Sequence, residues 1–400
     1  MSADHLEQAK ASFLQGLHTL EAGDWQAAEG HFERALELAP GRVSVMQNLG
    51  IARVRLKRYA EAEPLLRDTL AAEPEQLGAW LALAEAQLEL AHFEAAASSF
   101  ERCFALGEAS ATLRAQYAQC LARQGRIPDA IRAYQEALER DAKHTAALTE
   151  LGSLYREAGQ FEQAAACFQR ALDNGADPEV VAYFLAAVTQ QADVPTPPQQ
   201  YVRQLFDQYA EEFDAHLVGQ LGYQGHQLLV DRLPPEAGAH FSRALDLGCG
   251  TGLCGAHVRS RVDHLVGIDL APAMVDKARQ RAIYNALHVG DIHDFLAAAQ
   301  EPYDLVLAAD VFIYVGALEQ VFGLLATRMR KGSWLAFTVE DAAPGQTVQL
   351  LPSLRYAHSP AYLQELAQRH GYDLVSSHEE AIRFDQQRPV HGRYVYLRRR

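Results

Sequence analysis

A chain of 400 residues, 49% apolar and 22% charged, has a globular composition and is too long for one ordinary core. Its net charge is −15, divided as −10 over residues 1–192 and −5 over 193–400, so neither half has the basic balance of a polynucleotide-binding enzyme and no nucleic-acid partner is expected. No stretch approaches the roughly 18 consecutive apolar residues that cross a bilayer, the first residues lack the apolar core of a secretory leader, and five scattered cysteines suit a reducing compartment, so a cytoplasmic protein with no membrane contact is expected.

The N-terminal half repeats itself. Ala28, Ala62, Ala96, Ala130 and Ala164 recur every 34 residues. Twelve positions before each stands a small residue, Gly16, Gly50, Ala84, Ala118 or Gly152. Four positions after each stands Phe32, Leu66, Phe100, Tyr134 or Phe168, and three before each stands Trp25, Tyr59, Phe93, Ile127 or Phe161. Each unit reads as a helical hairpin in which small residues let two helices approach, while the aromatic columns fill the space between one hairpin and the next. Pro40 and Pro74 mark ends of second helices, because proline cannot continue one. A hairpin cannot bury its own apolar face, so neighbours stack. The pattern resembles the tetratricopeptide repeat family over about residues 9–178, departing from it at Glu108, Ala142 and Ala176, where the terminal proline is missing. The resemblance implies a superhelix with a concave groove for a peptide or protein, and Asn48, Arg53, Gln87 and Arg114 are groove candidates. The segment 178–191 reads as a capping helix. The array is expected over 1–192.

DVPTPPQQ (193–200) carries three prolines in eight residues and reads as a linker to a second domain, 201–400. Phe206, Tyr209, Phe213 and Leu217 then fall at helical spacing. FSRALDLGCGTGLCG (241–255) reads as strand, glycine turn and helix start. Asp246 precedes the turn, Asp269 ends the next strand and Asp291 the third. These carboxylates suit, in order, a cationic amino-acid group, two ribose hydroxyls and an adenine amino group, which together match S-adenosyl-L-methionine. A pyrophosphate at the same turn would be repelled by them. Cys249 and Cys254 read as small filler, and no metal site is expected. YDLVLAADVFIYVG (303–316) and GSWLAFTVE (332–340) read as further strands, and YDLVSSHEEAIRF and VHGRYVYLRRR as a closing hairpin, with the last three arginines as a solvated tail.

These motifs resemble the class I methyltransferases, and FDQYAEEFDAHL followed by LGY resembles bacterial enzymes that join tetratricopeptide repeats to such a domain. The fold class expected is therefore an α superhelix plus an α/β, Rossmann-like seven-stranded sheet with an antiparallel C-terminal hairpin. The resemblance implies that Gly248, Cys249 and Gly250 line the methionine end of the cofactor. It implies Asp269 and Leu270 at the ribose and one adenine face, Met274 beneath the ring, and Asp291 and Ile292 at the adenine edge. Ala308 would offer its carbonyl to the amino group, and Phe206, Tyr209 and Phe213 would close over the cofactor. Acid–base candidates are Asp310 and Tyr314 after the fourth strand, Glu340 and Asp341 on the fifth, and Tyr356 and His358 in RYAHSPAYL; Asp310, Tyr314 and His358 lead the set. The Asn/Asp-Pro-Pro-Tyr/Phe sequence of nucleobase amino methylation is absent from the strand-4 position, where AADVFIY stands. The function expected is methyl transfer to a small molecule or to a peptide or protein recruited by the repeats. The alternative is a binding scaffold whose methyltransferase fold senses cofactor or is inert.

Overall fold

A computed structural model of the protein describes residues 3–190, 196–211, 213–214, 223–385 and 388–400. Leu217 of the aromatic stripe lies outside them. The chain divides into two compact units, Met1–Ala158 with Ala166–Ala176, and Gly159–Ala165 with Asp177–Arg400. Among the described residues no helix is long and apolar enough to cross a membrane.

The repeat period sets the helix starts. Second helices begin at Trp25, Tyr59, Phe93, Ile127 and Phe161, and those of repeats two to five follow first helices that begin at Val43, Leu77, Ala111 and Thr145. A Cβ added to Gly16 would lie 2.5 Å from the Phe32 ring, and one on Gly50 would lie 2.7 Å from Leu66. The large column thus packs first inside its own hairpin, where only a small residue leaves room for it, and then shares a core with the next helix through Val45 and Leu49. The groove candidates are already engaged: Arg53 pairs with Glu29 at 2.9 Å and Glu33 at 2.7 Å, Arg114 with Glu136 at 2.9 Å, Asn48 donates to the Ser44 carbonyl at 2.8 Å, and Gln87 is buried against Glu63 and Ser99.

The second unit is built on a sheet whose described strands run β3 (Ala286–Val289), β2 (Val262–Asp269), β1 (Phe241–Leu247), β4 (Tyr303–Ala308) and β5 (Met329–Asp341), all parallel. The chain starts at β1, runs out to β3, and returns to β4 on the other side, so the strand order reverses between β1 and β4. β8 (Tyr372–Asp385) and β9 (Arg388–Arg399) form the expected hairpin, with β9 antiparallel to β5. Two short strands come in addition, β6 (Val348–Leu350) and β7 (Tyr356–His358), the latter extending the far end of β5. The C-terminal arginines are no free tail: Arg399 donates to the carbonyls of Ala326, His370 and Gly371, and Arg400 pairs with Asp373 at 2.8 Å.

The helix Pro178–Thr189, read above as a cap on the repeats, groups with this second unit. Tyr183 is 1% exposed, its ring lies 6.2 Å from Tyr356, and its hydroxyl donates to the Leu354 carbonyl at 2.7 Å. Removing an aromatic side chain from such a site costs about 3–5 kcal/mol. A fragment 177–400 should therefore melt well above a fragment 201–400 in thermal scans, and equal midpoints would rule out this role for Tyr183.

Candidate functional site

In an open parallel sheet ligands bind beyond the carboxyl ends of the strands where the order reverses. A cavity of about 710 Å³ opens there, beyond β1, β2 and β4. The glycine turn after β1 forms its floor. Gly248 has φ +65°, and a Cβ there would lie 2.5 Å from Val311. Gly250 has φ +52°, and a Cβ there would meet no protein atom within 4 Å, so the backbone faces open space in the cavity wall.

The three strand-end acids converge on this space. Asp246 is 1% exposed and accepts from the Tyr284 hydroxyl at 2.6 Å; burial pushes its carboxyl up to about 7. Asp269 accepts the amide N–H of Gly250 on one oxygen and that of Ala271 on the other, both at 2.9 Å, and burial raises its carboxyl as well. Asp291 caps the helix Ile292–Ala298 by accepting from the N–H of His293 at 2.7 Å, and takes the Gln199 side-chain amide at 3.0 Å. Leu270, Met274 and Ile292 add apolar walls, and Cys249 lies beside the turn with its thiol held neutral by burial. Among the described residues no group of His, Cys, Asp and Glu stands in a metal-binding arrangement.

The helix Gln199–Tyr209 crosses one side of the cavity. Phe206 and Phe213 pack on Ala271 and Met274, Phe206 meets Tyr314 edge-on at 5.2 Å, and Tyr209 meets Phe213 at 5.2 Å. Polar anchors hold the segment at both ends. Asp207 accepts the Ala273 N–H at 3.0 Å, a donor left over in the first turn of the helix Pro272–Gln280, and Asp214 takes the Thr251 hydroxyl and Arg281, each at 2.5 Å.

Ala308 is the last residue of β4 and its side chain is fully buried in the sheet core, while Ala309 and Asp310, which follow the strand, line the cavity. His358 is fully buried beneath β5, with Nε2 against the Gly316 carbonyl at 2.6 Å; burial lowers its pKa to about 4, which leaves no accessible base there. Asp310 and Tyr314 do line the cavity. Asp310 has φ +58° and is gripped by Thr338, whose hydroxyl donates to its carboxylate at 3.0 Å and accepts its N–H at 2.8 Å. Glu340 is buried against Arg383, and Asp341 pairs with Arg393 at 2.7 Å.

The structure adds residues that the motifs did not single out. Tyr223 and His226 stack at 5.4 Å in the cavity wall, and burial lowers His226 to about 4, leaving it neutral with Nδ1 unpartnered. Arg355 and Arg383 both reach the cavity. Arg355 stands one residue before Tyr356 in a segment already suspect on sequence, and only its charge type could have marked it.

Strand order, glycine turn and strand-end acids define a class I methyltransferase fold, carried by a chain that also holds tetratricopeptide repeats. Residues 244–332 match the family described as a methyltransferase domain, residues 19–68 a tetratricopeptide repeat, and residues 56–176 the cytochrome c-type biogenesis protein H repeat domain. A tetratricopeptide repeat-containing protein of Caenorhabditis elegans is 31% identical over 38% of this chain and 20% of its own length. The magnesium-protoporphyrin O-methyltransferase of Rhodobacter capsulatus is 32% identical over 28% of this chain and 50% of its own length. The tRNA 5-carboxymethoxyuridine methyltransferase of Escherichia coli K12 is 30% identical over 34% of this chain and 56% of its own length. The chain thus spans about half or less of the length of these relatives. It joins a tetratricopeptide-repeat array to a class I methyltransferase domain.

Proposed function

We propose that the second unit binds S-adenosyl-L-methionine and transfers its methyl group to a small molecule, or to a peptide or protein recruited by the repeats. The observation that carries this is the convergence of Asp246, Asp269 and Asp291 on one cavity beside the open backbone at Gly250. Asp269, at the end of β2, would hold the ribose hydroxyls. Asp291 would take the adenine amino group over the Leu270, Met274 and Ile292 walls. Asp246 would face the ammonium group, with Gly248, Cys249 and Gly250 along the methionyl chain. The sulfonium supplies an activated methyl group, so the chain's own work is to exclude water and hold an acceptor lone pair in line.

Calorimetric titration should show micromolar or tighter binding of S-adenosylmethionine and S-adenosylhomocysteine with no heat from NAD; tight NAD binding would end this reading. Binding without turnover on any acceptor would favour the cofactor-sensing scaffold. A pH series gives a second check. The Asp246 carboxyl, raised to about 7 by burial, must ionise to pair with the ligand's ammonium group. Affinity should rise by up to about tenfold per unit towards pH 7, and fall above about 8 as the ligand's own α-amine loses its proton. Asp246→Asn should flatten the acid limb, and an unchanged acid limb in that variant would exclude the pairing.

The aromatic helix is proposed as a lid over the cofactor. Phe206, Tyr209 and Phe213 are only half-buried, as residues that complete their packing on a ligand would be. Tyr209→Ala and Phe213→Ala should weaken S-adenosylhomocysteine binding while leaving the apo melting temperature nearly unchanged. Early unfolding with normal binding would make the stripe core instead.

A further inference from the structure

One guanidinium in the cavity wall stands without a carboxylate of its own among the described residues. Arg383 is 5% exposed and is shared by two carboxylates, Glu340 and Asp310, the latter at 3.5 Å. Arg355, half-buried and facing the same space, has no carboxylate within 4.0 Å among the described residues. Its one hydrogen bond runs from Nε to the Tyr314 hydroxyl at 3.2 Å. A guanidinium has five N–H donors in a planar fork, so most of its capacity faces the cavity. The protein also holds this residue in place at some cost. Leu354, just before it, has φ +64°, a left-handed conformation that is strained for a leucine. The turn persists because the Leu354 carbonyl accepts the Tyr183 hydroxyl at 2.7 Å and the Arg355 carbonyl accepts the Leu351 N–H at 2.8 Å. The strained turn thus fixes in the cavity wall a half-buried guanidinium that has no carboxylate partner among the described residues.

We propose that the methyl acceptor is a small carboxylate-bearing molecule with an apolar body, and that Arg355 holds its carboxylate. This rests on the methyltransferase reading above. Arg383 is already held by Glu340 and Asp310, so the guanidinium in the cavity wall that lacks a carboxylate of its own is that of Arg355, and a carboxylate on the ligand would supply one. The fork of Arg355 matches a carboxylate bidentately. Tyr314, Phe206 and the stacked pair Tyr223–His226 form aromatic walls for the rest of the molecule, and His226, being neutral, brings no competing charge.

The test uses the full-length protein loaded with S-adenosylhomocysteine and titrated with phenylacetate and, separately, with its uncharged isostere phenylacetamide. The acid should bind saturably and at least tenfold more tightly than the amide. Arg355→Gln should reduce that preference to within about twofold while S-adenosylhomocysteine affinity stays within about twofold. Arg355→Lys, which keeps the charge but not the fork, should retain part of the preference, separating loss of the contact from loss of the fold. Equal binding of acid and amide by the unsubstituted protein overturns the proposal, as does a preference that survives Arg355→Gln. If S-adenosylhomocysteine affinity collapses in Arg355→Gln, the guanidinium serves the cofactor's own carboxylate and the assignment to the acceptor is wrong. If the unsubstituted protein does not bind S-adenosylhomocysteine at all, the methyltransferase reading itself falls, a result distinct from the others.

Discussion

Asp269→Ala should lower S-adenosylhomocysteine affinity by two orders of magnitude or more. The ribose contact proposed for this carboxylate is charge-assisted, and its loss alone removes about 1.5–3 kcal/mol, or roughly ten- to a hundredfold. The same carboxylate also accepts the N–H groups of Gly250 and Ala271, so the substitution leaves two donors unpaired beside the cavity. Each unpaired buried amide costs about 1–3 kcal/mol, part of which appears as disorder of the glycine turn. Asp269→Asn keeps one acceptor oxygen and should fall between the two. Calorimetry on the three proteins, with circular dichroism as a control for folding, gives the comparison. Binding by Asp269→Ala within threefold of the unsubstituted protein would remove Asp269 from the cofactor site.

Arg383→Met should be the most destabilising change near the cavity. Its side chain is 4% exposed and that of Glu340 6%, and Asp310 is the second carboxylate on the same guanidinium. Breaking a buried pair from one side leaves an uncompensated charge and costs about 3–5 kcal/mol, which for a unit of this size is a drop of roughly 10 °C in melting temperature. The relevant transition is the one that moves upward when S-adenosylhomocysteine is added, since only a unit that binds the ligand is stabilised by it. The double variant Arg383→Met/Glu340→Leu should recover a good part of the loss, because it removes the stranded carboxylate together with its partner. A single variant that melts with the unsubstituted protein would mean that Arg383 is dispensable to the fold and free for a ligand.

Local pattern alone carried a large share of this protein. The 34-residue period places the start of each second helix at the residue of its aromatic column, because every hairpin repeats the same close approach of a small residue and a large one. The glycine turn and the three strand-end acids were equally readable, since a tight turn after a buried strand and an acid at each following strand end are short-range features that place side chains at one edge of a parallel sheet. What pairs over long range was not readable. That the helix Pro178–Thr189 supports the Leu354 turn depends on a contact between Tyr183 and a residue 171 positions away. Whether His358 or Arg355 faces the cavity is decided by the short strands β6 and β7, whose three residues each are too few for a periodic signal. Asp310 lines the cavity in a left-handed turn just beyond the end of β4, a conformation that strand periodicity does not signal. Sequence determined which kinds of unit this chain builds and where the strand-end carboxylates stand, because those follow from neighbours within a turn or a strand. Tertiary structure alone decided which guanidinium of the cavity lacks a carboxylate among the described residues, because the pairing of charges in a cavity depends on residues that meet only when the chain has closed around it.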